Sequence, residues 1–341
     1  MHWLRVFVMS STLLSSLLAV PADILISADD AIKLIGKEKV MFVTGDSEDI
    51  FSTGHIKGSV EMYAHHLHHS SITGAMECSP LFMCVKEAEE YIGSKGISND
   101  TLVIAYDDFK GPNATGVYAF FKSFGHDKIK ILNGGRAAIL DADPEQKIYD
   151  AIKERIKAAK EDKALSDKLK EELKMQEKKL LVQKDGEKIT PQKYVIDPKK
   201  INYAYIAGKN EILGAVKDIL AKGDKSQFAI VDARGFEEIM GERKMDNAAR
   251  GGHIPGAKFI EWKNVTDFDK KLSFVDAQQL EKVFAKNGIT KDKTIYAYCH
   301  VGAGRSSHII TALELLGYKN VKVYTGSWDE WANDMNLPIR R

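Results

Sequence analysis

The chain has 341 residues, 44% hydrophobic and 28% charged, long enough for two domains that each bury a core. Lys plus Arg number 49 and Asp plus Glu 48, a formal charge of +1. That balance gives no reason to expect a nucleic-acid or membrane-surface partner, so small solutes are the better-fitting partners.

The chain opens on "MHWLRVFVMSSTLLSSLLAVPA", with one charge, Arg5, before an apolar run from Val6 to Val20 diluted by hydroxyl residues. The pattern predicts a secretory signal over residues 1–22, cut after Ala22, with small residues Val20 and Ala22 before the cut. The run is shorter than the ~20 apolar residues of a spanning helix. A periplasmic or secreted protein is therefore expected, with no membrane segment after cleavage. In such a compartment thiols either pair or are kept free for chemistry. Cys78 and Cys84 lie six positions apart, and Cys299 stands alone.

The first predicted strand is "MFVTGD", followed by the segment "MYAHHLHHSSITGAMECSPLFMC". It places His65, His66, His68 and His69 within reach of Cys78 and Cys84, residue types that bind zinc or copper. Adjacent histidines point different ways on any regular backbone. A disulfide between the cysteines and histidines lying against the second domain are therefore both weighed beside a metal site, and no metal is assigned. Next come a helix in "CVKEAEEYIGSKG", a buried strand in "TLVIAYDDF", a turn and helix in "GPNATGVYAFFKSFG", and a strand in "IKILNGG". This first domain is expected over residues 23–143.

Residues 145–184 carry 12 basic and 9 acidic side chains and neither glycine nor proline. Ile148, Ile152 and Ile156, then Leu165, Leu169, Leu173 and Leu180, form a stripe of helical spacing. One long helix or a helical hairpin broken near Ser166 is predicted, either packing on its own domains or docking a partner protein. With "KYVIDPKKINYAYIAGKNEILGAVKD" leading out of it, a charged insert and linker is expected over 144–205 and a second domain over 206–341.

The second domain repeats the first. A shift of 192 residues superposes "TLVIAYDDF" on "KTIYAYCHV", and sets Asp107 against Cys299, Phe124-Gly125 against Leu316-Gly317, and Asn133-Gly134 against Thr325-Gly326. Upstream, "STGHIKGSV" matches "RGGHIPGAK". The remaining elements, a strand in "FAIVDAR" and a helix in "DAQQLEKVFAKNG", keep the alternation that predicts an α/β fold, a parallel sheet flanked by helices in each half. Ligands in such sheets gather beyond the carboxyl ends of the strands.

Cys299 follows the strand ending at Tyr298 and precedes a helix expected to begin near Ser306. Loop amides and a helix amino terminus favour an anion there, and a thiolate is that anion. Gly302 and Gly304 permit positive φ and close approach. Arg305 adds a fixed cation.

Together, "VDARGFEEIMGERKMDNAARGGHIPGAK", "YCHVGAGRSSH" and "YTGSWDEWANDMNLPI" resemble the rhodanese family, and the duplication resembles its tandem thiosulfate and 3-mercaptopyruvate sulfurtransferases. The resemblance covers nearly all of residues 23–341 except the insert. It implies two tandem rhodanese-like domains, the first degenerate, and transfer of a sulfane sulfur through a Cys299 persulfide with no dissociable cofactor. Small sulfur compounds are the implied donors, and cyanide or a thiol, including a protein thiol, the acceptor. It further implies that His300, Val301, Gly302, Ala303, Gly304 and Arg305 cradle the substrate. Arg234 and Arg250 lie on segments that approach the cleft in this family, as substrate contacts or as structural ion pairs, Arg234 with Glu238. His253 is expected to support its own turn.

Two departures stand out. The loop from Cys299 to Arg305 has seven residues where these sulfurtransferases usually have six, and so spells C-x5-R, resembling rhodanese-fold phosphatases and arsenate reductases. Val301 stands where mammalian-type thiosulfate enzymes carry a basic residue, which points to polysulfide or another persulfide as donor. A non-enzymatic sulfur carrier is the remaining alternative.

Overall fold

The computed structural model describes residues 24–67, 84–175, 180–183, 186 and 188–341. The signal expected over 1–22 lies outside them, as do His68, His69 and Cys78. Among the described residues no helix is long and apolar enough to cross a membrane.

Two parallel sheets carry the chain. The first contains β1 (Leu25–Ile26), β2 (Val40–Thr44), β4 (Val60–Glu61), β5 (Leu102–Tyr106) and β6 (Ile129–Leu132). The second contains β8 (Ile206–Ala207), β9 (Phe228–Asp232), β10 (Lys258–Phe259), β11 (Thr294–Tyr298) and β12 (Val321–Tyr324). Their orders, β1-β6-β5-β2-β4 and β8-β12-β11-β9-β10, are the same path traced twice. The 192-residue shift carries β5 onto β11 and β6 onto β12 residue for residue. Central strands such as VMFVT and FAIVD are β-branched and apolar because helices cover both faces of a parallel sheet.

The helices start where the caps dictate. Asp276 accepts from the Gln279 amide at 2.9 Å to open Ala277–Lys286, and Gly111, at φ 96°, turns the chain into Pro112–Ser123 with proline at the first turn. Pro112–Ser123 packs against Arg305–Leu315, its own repeat partner. Phe120, Phe121, Ile309, Ile310 and Leu313 are fully buried in a core that runs without interruption from one sheet to the other. Each such side chain contributes about 1.5–3 kcal/mol by leaving water. The mouth of the second sheet is therefore built against the first domain.

The insert is a hairpin of Pro144–Ala158 and Lys163–Met175. Its break falls before Lys163, earlier than Ser166, because Asp162 caps the second helix, its carboxylate accepting from the Leu165 amide at 3.0 Å. Ile152 and Leu169 are buried, while Ile148 and Leu165 lie open. The segment after the hairpin returns to the first domain as β7 (Leu181–Val182), antiparallel to β3 (His55–Ile56). The linker then straps along the same domain. Tyr194 Oη meets His126 Nδ1 at 3.1 Å, and the Asn202 amide donates to the Ser123 carbonyl at 2.8 Å.

Candidate active site

Strand β11 delivers Cys299 to the carboxyl edge of its sheet, where the residue is 2% exposed. Its backbone is held from behind by the helix Ser327–Asn333. The Cys299 amide donates to Ser327 Oγ at 3.1 Å, and the amides of Trp328 and Asp329 donate to the carbonyls of Cys299 and His300 at 3.0 and 2.9 Å. Ser327 holds a left-handed φ of 49°, a conformation that costs a non-glycine residue on the order of 1 kcal/mol. Its counterpart in the first repeat, Gly135, has φ 52°. The two repeats thus share this turn conformation with different residues.

In front of the sulfur, the loop closes on two glycines. Gly302 has φ 86°, and a β-carbon there would lie 2.4 Å from the Thr325 carbonyl oxygen; Gly304 has φ 129°. Ser306 Oγ sits 3.4 Å from Cys299 Sγ and 2.6 Å from the Gly302 carbonyl oxygen, and its one proton can serve either acceptor. Ser307 Oγ donates to the same carbonyl at 3.0 Å. Val301 and Ala303 are buried apolar residues of the loop. His300 is buried, with Nε2 3.0 Å from Asn247 Oδ1, and burial lowers its pKa to about 4, so it is neutral at pH 7.

The helix begins at Arg305, whose guanidinium meets Glu238 in a bidentate pair, Nη1 to Oε2 at 2.6 Å and Nη2 to Oε1 at 3.1 Å. Burial pushes the Glu238 carboxyl up, but the Arg305 hydrogen bonds and charge, with the charge of Arg234, hold it at about 2.

The arginines expected at the cleft, Arg234 and Arg250, are each held by protein groups. Arg234 is 2% exposed and pairs with Asp232, not Glu238: Nε and Nη2 donate to its two oxygens at 2.9 and 2.7 Å, and Nη2 also donates to the Gly252 carbonyl. The guanidinium lies over the Trp328 and Tyr298 rings, 4.5 and 5.4 Å from their centroids. Arg250 donates to the carbonyls of Ala332, Leu337, Trp331 and Asp334 at 2.6–2.9 Å, tying down the last turn of the carboxyl-terminal helix. Both guanidinium groups are thus bound by protein partners. His253 supports its turn, Nδ1 lying 3.0 Å from the Ile239 carbonyl.

Three contributors were not among the residues singled out in the sequence: Glu238 as the partner of Arg305, Ser306 and Ser327. The serines stand in the motifs "GRSSH" and "TGSW", yet hydroxyls near a helix start read equally as caps. The first domain adds His65, whose Nε2 lies 3.9 Å from where a β-carbon on Gly304 would stand, with Nδ1 3.1 Å from Tyr63 Oη. Cys84 is disulfide-bonded, and Cys299 is the free cysteine of the described residues. Among those residues no group of histidine, cysteine and carboxylate side chains could hold a metal ion.

The first repeat shows how such a loop holds an acidic side chain. Asp107 occupies the Cys299 position, and its carboxylate accepts from the amides of Gly111, Asn113 and Ala114 at 3.1, 3.1 and 3.2 Å. The same shift assigns Ala303, Arg305 and Ser306 as the matching amides around Cys299.

With two such loops on duplicated sheets, the family model that matches the chain is the rhodanese-like domain, over residues 27–142 and again over 214–334. The chain belongs to the rhodanese-like family. It is 30% identical to the sulfur carrier protein TtuD of Thermus thermophilus, over 94% of this chain and 97% of that one. It is 29% identical to a putative thiosulfate sulfurtransferase of Haloferax volcanii, over 75% and 74% of the two chains. Among solved structures, the fold matches the 3-mercaptopyruvate sulfurtransferase SseA of Escherichia coli at a TM-score of 0.64 and 20% identity, over 89% of this chain and 98% of that one. It also matches the anaerobic ergothioneine biosynthesis enzyme of Chlorobium limicola at 0.67 and 22%, over 93% and 70%. The two-domain α/β architecture is shared with both.

Proposed function

We propose that this rhodanese-like protein is an exported sulfurtransferase carrying sulfane sulfur on Cys299. The Cys299 thiolate attacks the outer sulfur of a donor, the donor's bond to that sulfur breaks, and the donor leaves as an anion. An acceptor thiolate or cyanide then attacks the outer sulfur of the persulfide and the Cys299 thiolate departs. The names of the relatives, sulfurtransferases and a sulfur carrier, support this class of reaction. They also support a protein thiol as acceptor.

The observation that carries the reading is Asp107. A carboxyl oxygen of aspartate and the outer sulfur of a cysteine persulfide are both terminal atoms two bonds beyond the β-carbon. In the first repeat three loop amides hold the two oxygens of Asp107, Gly111 on one and Asn113 and Ala114 on the other. The second repeat sets Cys299 at that position before a loop of the same length, whose positive-φ glycines fall at 302 and 304 rather than at the position of Gly111, and amides of this loop would stabilise a persulfide anion. The first domain is in this sense permanently occupied by its own side chain. Polysulfide or a persulfide fits the apolar Val301 position better than thiosulfate does.

Intact-protein mass spectrometry after incubation with thiosulfate, 3-mercaptopyruvate or polysulfide, beside Cys299→Ser, tests the reading. One added sulfur on the native chain alone, removed by cyanide, is the expected result, and the best donor names the substrate class. No added sulfur with any donor rejects it. Export is supported by the amino-terminal apolar run and the disulfide at Cys84, and sequencing of the mature amino terminus checks it: the chain is expected to begin at Asp23.

A further inference from the structure

The Cys299 loop is walled on one side by the first domain. Gly116 sits where a β-carbon would stand 2.9 Å from the Ala64 β-carbon and 3.1 Å from the Gly304 amide nitrogen. The turn Ala64–His66 is thereby pressed against the loop, and it sets His65 Nε2 3.9 Å from where a β-carbon on Gly304 would stand. His65 is itself exposed, so the imidazole lies between the loop and solvent. Its other nitrogen is taken. Nδ1 lies 3.1 Å from Tyr63 Oη, with the two rings 5.0 Å apart. In the tautomer with Nδ1–H on the phenol oxygen, the free electron pair is on Nε2, the nitrogen set against the loop. The second half of sulfur transfer needs such a group, because an acceptor thiol must lose its proton before its sulfur attacks. The titratable side chains that the second domain places around the loop are weak bases. Burial lowers His300 to about 4 and His308 to about 3, and Glu238, which burial would raise, is held at about 2 by Arg305. At His65, partial burial and then the charges of Arg305 and His66 lower the pKa, so the ring is neutral at pH 7 and free to accept a proton. Among the described residues, Arg305 on the loop and His66 and Tyr63 on its own segment are the charged and titratable groups that bear on it.

We propose that His65 is the base of the acceptor half-reaction: its Nε2 takes the proton of a thiol arriving at the Cys299 persulfide, so that the first domain, whose Asp107 cannot carry sulfur, favours thiols as acceptors. This rests on the persulfide reading given above. The thiol S–H bond breaks and its proton passes to Nε2. The electron pair left on the thiol sulfur forms a bond to the outer sulfur, and the bond from that sulfur to Cys299 Sγ breaks, its electron pair leaving on Cys299 as the thiolate. Being exposed, the His65 imidazolium returns the proton to water. Cyanide attacks as the anion already present in solution and gains nothing from the base.

The test uses the full chain loaded with polysulfide, freed of excess donor and shown by mass to carry one added sulfur. Discharge at pH 7 is then timed with 2-mercaptoethanol and with cyanide. In His65→Gln, which keeps a hydrogen-bonding side chain and removes the base, the ratio of the thiol rate to the cyanide rate is expected to fall at least tenfold. Between about pH 5 and 8 the native thiol rate is expected to rise and then level as His65 loses its proton, while that of the variant keeps rising with the thiolate fraction. An unchanged ratio overturns the proposal, whether both rates fall together because the loop is displaced or neither moves. A native profile that rises without levelling overturns it as well. If His65→Gln fails to fold, the native profile alone decides. Absence of added sulfur on the native protein rejects the sulfur-transfer reading and this proposal with it, whereas normal loading with an unchanged ratio rejects the role of His65 alone.

Discussion

Lys122 and Glu314 stand at the same position of the two repeats, 192 residues apart, and pair with each other across the domain interface. They lie on the helices Pro112–Ser123 and Arg305–Leu315, which face each other across the pseudo-twofold axis of the duplication. The equivalent positions thus carry opposite charges, lysine in the first repeat and glutamate in the second. The side chains are 26% and 12% exposed, and the Lys122 ammonium also lies 4.6 Å from the Tyr205 ring centroid.

Lys122→Met is therefore expected to leave a buried carboxylate unpaired and to cost about 3–5 kcal/mol, while the double variant with Glu314→Gln costs clearly less. Urea unfolding of the single and double variants checks this. Additive losses would show that the two residues do not interact.

Gly302→Ala is expected to abolish persulfide formation. A β-carbon there would lie 2.4 Å from the rigid Thr325 carbonyl oxygen, on a backbone already at φ 86°, so the loop in front of the sulfur must move. Mass spectrometry with the best donor reads the loss, and near-native loading would contradict the packing.

Gly116→Ala tests whether the first domain shapes the catalytic loop. Its β-carbon would stand 2.9 Å from the Ala64 β-carbon and 3.1 Å from the Gly304 amide nitrogen. A fall in the rate of sulfur loading of at least tenfold is expected, with both domains still folded by circular dichroism. A change in melting temperature with loading untouched would make the first domain a scaffold only.

Stability should fall on acidification. Burial lowers His300 to about 4 and His308 to about 3, against about 6.5 for an unfolded histidine. Between those values the unfolded chain binds more protons, so stability is present above pH 6.5 and is lost as pH falls towards 4. Asp107 acts with the opposite sign. Burial and the charges of Asp46 and Asp108 raise it to about 7, so the folded state holds the extra proton from about pH 4 to 7 and loses stability as pH rises through that range. His308→Gln should flatten the acid side of a stability profile, and Asp107→Asn the neutral side. Parallel profiles for native and variant proteins would refute the assignment.

Deleting only residues 145–175 should leave sulfur loading within about threefold, since the hairpin lies apart from Cys299 and β7 is retained to pair with β3. Loss of transfer to a protein acceptor, with loading kept, would instead mark the hairpin as a docking arm.

The duplication, the α/β alternation and the position of Cys299 at a strand end are written in local patterns, because strand and helix periods and turn residues act over a few neighbours. The sequence by itself also determined that Gly302 and Gly304 are glycines for conformational reasons, and both have positive φ. Only the tertiary structure decided where the arginines go. A guanidinium on a long stem reaches any carboxylate or carbonyl within several ångströms, so the choice of Asp232 over Glu238 by Arg234, and of four carbonyls by Arg250, follows from packing. Likewise Glu238 meets Arg305 across 67 residues of chain, and His65 meets the Gly304 loop because two helices of different domains share one core. Those contacts have no period in the sequence.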